Sequence, residues 1–375
     1  MTAARRPLIC IDCRYVRTRP SGIGEVVAQL AVRAPVLAPD YDFLLLAHPE
    51  ASALSDAPNV TLRVVGHAAN GPMTMWALPR VVDLRGVALF HAPANILPAG
   101  LTMPSVTTVH DLMWLTHPDW AAKPGWRGRI DRRFYRHGIG RALRRSTRIA
   151  TVSAATAAEI ARLDPKAGAR TRITLSGVDP VFRPSPHHSR PDGDGGERRY
   201  VLTVGQFAPY KNHVAVLDAF ATIAPELPDL DLLFVQRQGA GPDTLGPRAA
   251  ALGLADRVRF VPPMGRDALI ALYRQAVALC HPSLMEGFGN PLAEAMACGC
   301  PVVTSDRSAM PEVAGGAALL VDPTEVTAIA AALRRVATDP TLAADLRARG
   351  LGRARDLSWH AFAQANVAIY RELLG

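Results

Sequence analysis

Short apolar runs rich in valine, isoleucine and leucine recur through the first half of the chain at 8–11, 43–47, 61–65, 87–91, 106–109, 148–152 and 173–175, with helical stretches between most of them. Runs this short read as strands, and their alternation with helices predicts parallel sheets covered by helices. The alternation stops at 184–196, where Pro, Gly, Ser, His and Asp crowd out apolar residues. Such a stretch reads as a linker or loop. Strands resume at 200–204, 232–235, 258–261, 277–279, 302–304 and 318–321, and helices at 325–337, 342–354 and 359–373 close the chain. The predicted fold class is α/β, with a Rossmann-like domain over 1–185, a linker over 186–198, a second Rossmann-like domain over 199–357 and a terminal helix over 358–375. The length of 375 residues agrees with two domains, since one hydrophobic core usually stops growing at roughly 250–300 residues.

Composition narrows the class. Hydrophobic residues make up 49% of the chain, ordinary for a globular protein, and no apolar run approaches the ~18 residues of a membrane span. Residues 1–13 lack the apolar stretch of a secretory signal, so a cytoplasmic protein is expected. Five cysteines, an odd number, then fit free thiols in a reducing compartment. Cys10 and Cys13 have CxxC spacing, but they fall within the first predicted strand and no second Cys or His pair matches them. They read as small core residues, as do Cys298 and Cys300.

The net charge of +9 changes the picture, because all of its excess lies in the first half. Residues 1–185 carry 24 Lys and Arg against 13 Asp and Glu, and residues 186–375 carry 18 against 20. Ten of the cations fall in 123–148, with Asp131 the only acid and Trp120, Trp126, Phe134 and Tyr135 among or beside them. Basic residues mixed with aromatics suit an anionic membrane surface, where each nearby cation contributes about 1 kcal/mol. Nucleic acid would feel the same charge, but no nucleic-acid-binding fingerprint is present and no such partner is expected. An arginine-rich solvated helix is the plainer reading.

The densest chemistry lies at 286–299. Glu286 and Glu294 flank a turn containing Gly287, Phe288 and Gly289, and Asn290 and Pro291 are favoured at a helix N-cap and first position. Glycines leave N–H groups uncovered, and a helix start carries roughly half a positive charge, so the turn suits a phosphate or sugar. Either carboxylate can accept two hydroxyls, which suits a ribose at Glu294 and sugar hydroxyls at Glu286. Gly205 and Lys211 follow the strand 200–204, at the carboxyl end where open α/β sheets bind ligands, and a lysine there can neutralise a diphosphate. His110 ends the strand 106–109. Gly22 and Gly24 open the first helix, where N–H groups could approach a phosphate. Arg14 and Asn95 lie at strand ends as weaker candidates for an acceptor, and Ser153 has a similar place. For Arg14 a plain salt bridge is an equal reading. For His110 and the glutamates the plain reading is structural or solvated.

Taken together, Ser21-Gly22-Ile23-Gly24, Val109-His110-Asp111-Leu112, Val204-Gly205, Pro209-Tyr210-Lys211-Asn212 and the paired glutamates resemble, in order, the motifs of the retaining glycosyltransferases of family four. The resemblance covers nearly the whole chain. It implies the GT-B fold of two facing Rossmann-like domains with a cleft between them, and a last helix that crosses back to the first domain. It implies a nucleoside diphosphate sugar as co-substrate, with no metal and no other cofactor. Lys211 then matches the phosphate-binding lysine, His110 reaches the donor sugar near the reacting carbon, and Glu286 is a sugar-hydroxyl ligand. Tyr210 stands where the family usually has an arginine, and Gln236 stands where it often has glycine. Neither Asp192-Gly193-Asp194 nor Asp229-Leu230-Asp231 lies beside the phosphate-binding turn.

The resemblance is strongest to bacterial members that build surface polysaccharides. It implies transfer of mannose from GDP-mannose to a polyprenyl-diphosphate-linked saccharide at the inner face of the cell membrane, by same-face attack with retention. A UDP-sugar-dependent transferase, an epimerase or hydrolase of the same fold, and a non-catalytic nucleotide-sugar-binding scaffold are the alternatives.

Overall fold

Apolar runs that alternate with helices have one economical arrangement, a parallel sheet covered on both faces. The computed structural model, which describes residues 6–18, 21–51, 53–122, 125–185, 198–235 and 241–375, contains two such sheets. The first is built from β1 (Leu8–Asp12), β2 (Asp42–Ala47), β3 (Val60–Val64), β4 (Val87–Ala92), β5 (Ser105–Val109), β6 (Arg148–Thr151) and β7 (Thr171–Ile173), in the order β3-β2-β1-β4-β5-β6-β7. The second is built from β8 (Arg199–Val204), β9 (Leu230–Val235), β10 (Val258–Val261), β11 (Ala278–His281), β12 (Val302–Ser305) and β13 (Leu319–Val321), in the order β10-β9-β8-β11-β12-β13. Every pairing is parallel. Each strand lies within two residues of a run read from the sequence; β11 continues past the expected end at Leu279 to His281.

The chain divides into two compact units, Met1–Gly177 with Trp359–Gly375, and Val178–Ser358. The first boundary, expected at 185, therefore falls at 177. Residues 178–185 belong to the second unit because their side chains find partners there: Asp179 Oδ2 meets Arg266 Nη1 at 2.8 Å, and the Phe182 ring packs edge-on to Tyr273 at 6.2 Å. The expected linker lies outside the described residues from 186 to 197, as do Gln236 and the Asp192-Gly193-Asp194 motif.

In the first unit, Ile9, Ile11, Phe43 and Leu45 of the sheet pack with Val27 and Leu30 of the helix Gly22–Leu37. The helix Trp359–Leu374 adds Trp359, Phe362 and Tyr370 to the same core. Burying such a side chain contributes about 1.5–3 kcal/mol, so this helix is part of the unit's stability rather than an appendage. A polar bond fixes its setting: Tyr370 Oη lies 2.6 Å from His91 Nδ1, and His91 Nε2 lies 2.8 Å from Thr108 Oγ1. Burial, then the neighbouring His110, holds the His91 pKa down to about 3, so the imidazole is neutral in this core. In the second unit Val216 and Phe220 of the helix His213–Ile223 pack with Phe234 of β9 and Leu333 of the helix Val326–Thr338. All five cysteines are buried free thiols.

Candidate active site

In an open parallel sheet the crevice for a ligand opens where the strand order reverses, beyond the carboxyl ends of the two strands at that point. In the second unit these strands are β8 and β11. Gly205 leaves β8 with φ +146°, a conformation that favours glycine, and the chain makes one tight turn over Pro209–Lys211. Asn212 follows with φ +59°, and its Nδ2 donates to the carbonyls of Pro323 (2.6 Å) and Pro282 (3.2 Å). The N–H of Leu284 donates to the Tyr210 carbonyl at 2.8 Å. These bonds tie the loop after β8 to the loop after β11, and they bring Lys211 to Glu286.

Lys211 Nζ stands 2.5 Å from Glu286 Oε1, with the two side chains 10% and 13% exposed. Ser283 Oγ donates to the same oxygen at 2.9 Å, and His281 Nε2 lies 3.1 Å from it. An ionised carboxylate only accepts, so the neutral His281 carries its proton on Nε2. Ser308, itself at φ +56°, accepts the Glu286 N–H at 3.1 Å and donates to the Glu286 carbonyl at 2.7 Å. Burial opposes ionisation of Glu286, but Lys211 and then the His281 hydrogen bond outweigh it and hold its pKa down to about 2. For Lys211 burial likewise opposes the charge, and Glu286 reverses the balance and raises the pKa. Burial leads the downward shift of His281. Tyr210 lays its ring 5.4 Å from the Lys211 ammonium, so the residue in the usual arginine's place faces the lysine with a π surface.

The turn after Glu286 enters the helix Asn290–Ala297 through Gly289, which takes the cap position at φ +94°; Asn290, expected there, is the first helical residue. Its positive φ is what favours glycine here; a Cβ would also meet the flexible end of Met310. No side chain caps this helix; Pro291 has no N–H and Leu292 gives its own to the Gly289 carbonyl at 2.9 Å, so the helix start offers an anion its positive dipole end more than a row of N–H groups. Phe288 is buried within the unit, and Gly287 is half-buried. Glu294 lies in the same helix, close enough to act on the Lys211 charge, and its Oε2 accepts a hydrogen bond from the buried Tyr273 hydroxyl at 2.9 Å. Gly205, Lys211 and Glu286 are thus brought together, with the Gly289 turn and Glu294 following.

The first unit reverses its order between β1 and β4. His110, just after β5, is buried; its N–H donates to Asn95 Oδ1 at 2.7 Å and its Nε2 lies 2.8 Å from the Pro93 carbonyl. The carbonyl fixes the proton on Nε2 and leaves Nδ1 as an acceptor. Burial holds its pKa down to about 4.

Three expectations need correction in this unit. Arg14 is not an acceptor ligand: it is fully buried, its Nε and Nη2 pair with Asp12 at 2.7 and 2.6 Å, and Nη1 donates to the His67 carbonyl and Thr74 Oγ1. Asn95 spends its side-chain oxygen on His110 and holds a left-handed φ of +60°, which makes it a support for that histidine. Gly24 does not offer its N–H to a phosphate, because Ser21 Oγ accepts it at 2.9 Å as the helix cap. Its glycine identity reflects packing, since a Cβ there would stand 2.8 Å from the Tyr15 carbonyl. Gly22 is exposed at the helix start. Ser153 caps the helix Ala154–Leu163.

Sequence reasoning missed His281, Ser283, Ser308 and Tyr273. The legible signal for the first two was the period of a strand: His281 and Ser283 are two apart, just upstream of Glu286, and so share a face.

Two doubly wound parallel sheets with a ligand-ready switch point are the plan of GT-B glycosyltransferases, and solved structures agree. A sucrose-phosphate synthase from Thermosynechococcus elongatus matches with a TM-score of 0.77 over 98% of this chain and 99% of its own, at 22% identity, a likeness of fold. The family described as glycosyl transferases group 1 matches residues 187–353. The O-antigen chain mannosyltransferase B of Escherichia coli is 30% identical over 304 residues, covering 80% of this chain and 77% of the relative. The MMP alpha-(1->4)-mannosyltransferase of Mycolicibacterium hassiacum is 31% identical over 293 residues, covering 74% and 67%. The chain belongs to the group 1 glycosyl transferases.

Proposed function

We propose that this glycosyltransferase moves a mannosyl residue from GDP-mannose to a polyprenyl-diphosphate-linked saccharide of a growing surface polysaccharide, with retention and without a metal ion. The observation that carries the reading is the Lys211–Glu286 pair at the switch point of the second unit. A buried cation there suits a diphosphate, and a carboxylate beside it suits the sugar that the diphosphate carries. The names of both relatives support mannose, and that of the first supports a polysaccharide acceptor.

As the bond from the anomeric carbon to the diphosphate breaks, Lys211 and the uncapped start of the helix Asn290–Ala297 stabilise the charge on the leaving group. The acceptor hydroxyl attacks the face that the diphosphate leaves and passes its proton to a diphosphate oxygen. Glu286 holds sugar hydroxyls and Glu294 the ribose diol. The protein supplies mainly position and charge.

Thermal stabilisation by GDP, UDP, ADP and their sugar conjugates tests this reading, with Glu294→Ala alongside. GDP and GDP-mannose are expected to raise the melting temperature of the wild type and not of the variant. A shift with UDP alone replaces the donor with a UDP-sugar; no shift with any of them rejects GDP-mannose and leaves an unusual donor or a scaffold.

We further infer a peripheral place at the inner face of the cell membrane. Among the described residues no helix is long and apolar enough to cross a membrane. The helix Trp126–Arg145, however, exposes Trp126 (61%) and Ile130 (56%), spaced four apart with Phe134 next in the row. Trp76, 49% exposed, packs edge-on against Phe134, and Arg127, Arg129, Arg133 and Arg136 are exposed around the stripe. Apolar rings among arginines suit an anionic interface. Flotation with anionic liposomes should carry the protein at low salt, and Trp126→Ser with Ile130→Ser should reduce the floated fraction; a wild type left unbound sinks the idea.

A further inference from the structure

Glu286 is held at its N–H, its carbonyl and one carboxylate oxygen. Ser308 engages both main-chain groups; Lys211, Ser283 and His281 all fall on Oε1. Among the described residues Oε2 has no such partner. Only one of the three donors on Oε1 is charged, and it is the one with a second task. The proposed donor places a diphosphate beside Lys211, whose ammonium would turn toward it. If Lys211 alone held Glu286, that turn would leave a buried carboxylate unpaired and loosely aimed at the moment the sugar arrives. Ser283 and His281 are both buried and both neutral donors, so neither competes for the diphosphate.

We propose that His281, seconded by Ser283, is a positioning residue that keeps Glu286 ionised and aimed while Lys211 exchanges that carboxylate for the donor's diphosphate. The Lys211–Glu286 pair is then the resting form of the site, opened by the donor, and the histidine makes the exchange tolerable. The inference rests on the proposed donor reading and adds to it how the site passes from empty to loaded.

The test compares wild type, His281→Leu, His281→Gln and Glu286→Gln. GDP and UDP binding are read by titration calorimetry, and nucleotide release from GDP-mannose or UDP-glucose by steady-state kinetics. Leucine removes the donor at similar volume; glutamine returns an amide N–H near the place of Nε2. A hydrogen bond to a charged group is worth enough that His281→Leu should slow release ~10- to 100-fold. Its affinity for the nucleotide should stay within about twofold of wild type, because the Lys211 contact is kept. His281→Gln should recover most of the rate. Glu286→Gln should bind the nucleoside diphosphate several-fold more tightly than wild type, since Lys211 no longer has to leave a carboxylate. Melting temperatures of the four proteins separate loss of fold from loss of aim. Full turnover in His281→Leu overturns the proposal, and so does a parallel loss of nucleotide affinity and rate that glutamine leaves unrepaired. A wild type that bound neither nucleotide would remove the donor reading and this inference together.

Discussion

Asp12–Arg14 at the end of β1 and Lys211–Glu286 beyond β8 and β11 occupy comparable places in two sheets of the same winding, yet the first cation uses four of its five side-chain N–H groups and the second only one of three. Arg14 is fully enclosed, with bidentate bonds to Asp12 and its remaining nitrogen shared between Thr74 and the His67 carbonyl. The Lys211 ammonium makes one hydrogen bond among the described residues and has three N–H groups. The difference teaches that a charge at a strand end becomes a ligand site through what its neighbours leave unsatisfied. A closed pair holds a fold; an incompletely satisfied one can be asked to exchange partners.

The largest expected effect belongs to the closed pair. Arg14→Ala leaves Asp12 buried and without its cation, which costs about 3–5 kcal/mol and should lower the denaturant midpoint of the first unit sharply. Equal stability of the variant would break the comparison at its base. Lys211→Ala is expected to act on chemistry instead. Removing a charged stabiliser of the leaving group should reduce donor turnover on the order of 10²–10³-fold. Its stability cost should be smaller than that of Arg14→Ala, because Ser283 and His281 stay on the Glu286 oxygen. Chemical denaturation and nucleotide release on the same preparations decide this, and a Lys211→Ala protein as destabilised as Arg14→Ala would make the two pairs alike.

The contrast also marks what the sequence could reveal. Both sheets were legible because buried parallel strands are written as short continuous apolar runs, from Leu8–Asp12 through Leu319–Val321. Lys211 and Glu286 were legible because they lie in loops with glycines that follow strands, and Glu294 because it follows the glycine turn into a helix. What supports them was not. Ser308 reaches Glu286 from 22 residues away, and Lys211 meets it across 75, so those contacts exist only once β8, β11 and β12 are paired. Arg14 was left open between ligand and salt bridge for the same reason: its sequence neighbours give the charge, and only residues 53 and 60 positions on show that the charge is spent. The domain boundary was read late because the Pro- and Gly-rich stretch begins after residues 178–185 have already joined the second unit through Asp179 and Phe182.

The smallest expected effect sharpens the comparison most. If Asp12–Arg14 serves only to fill and satisfy the interior, removing both charges together should be tolerated far better than removing one, since the cost of a single deletion is mainly the stranded partner. Asp12→Leu with Arg14→Met keeps the approximate bulk. It strands the His67 carbonyl, in an exposed residue, and the Arg14 main-chain N–H, whose bond to Asp12 Oδ1 is long at 3.4 Å; the Thr74 hydroxyl still donates to the Ala68 carbonyl. The double variant should therefore lie within about 1 kcal/mol of wild type in denaturant unfolding. The matching change in the other pair, Lys211→Met with Glu286→Leu, should also fold, but without nucleotide release. The two double variants together separate a pair that is replaceable by volume from one whose charge is the function. A large stability loss in Asp12→Leu/Arg14→Met would show instead that the closed pair contributes net attraction of its own, and that enclosure alone does not distinguish structural from functional charge in this fold.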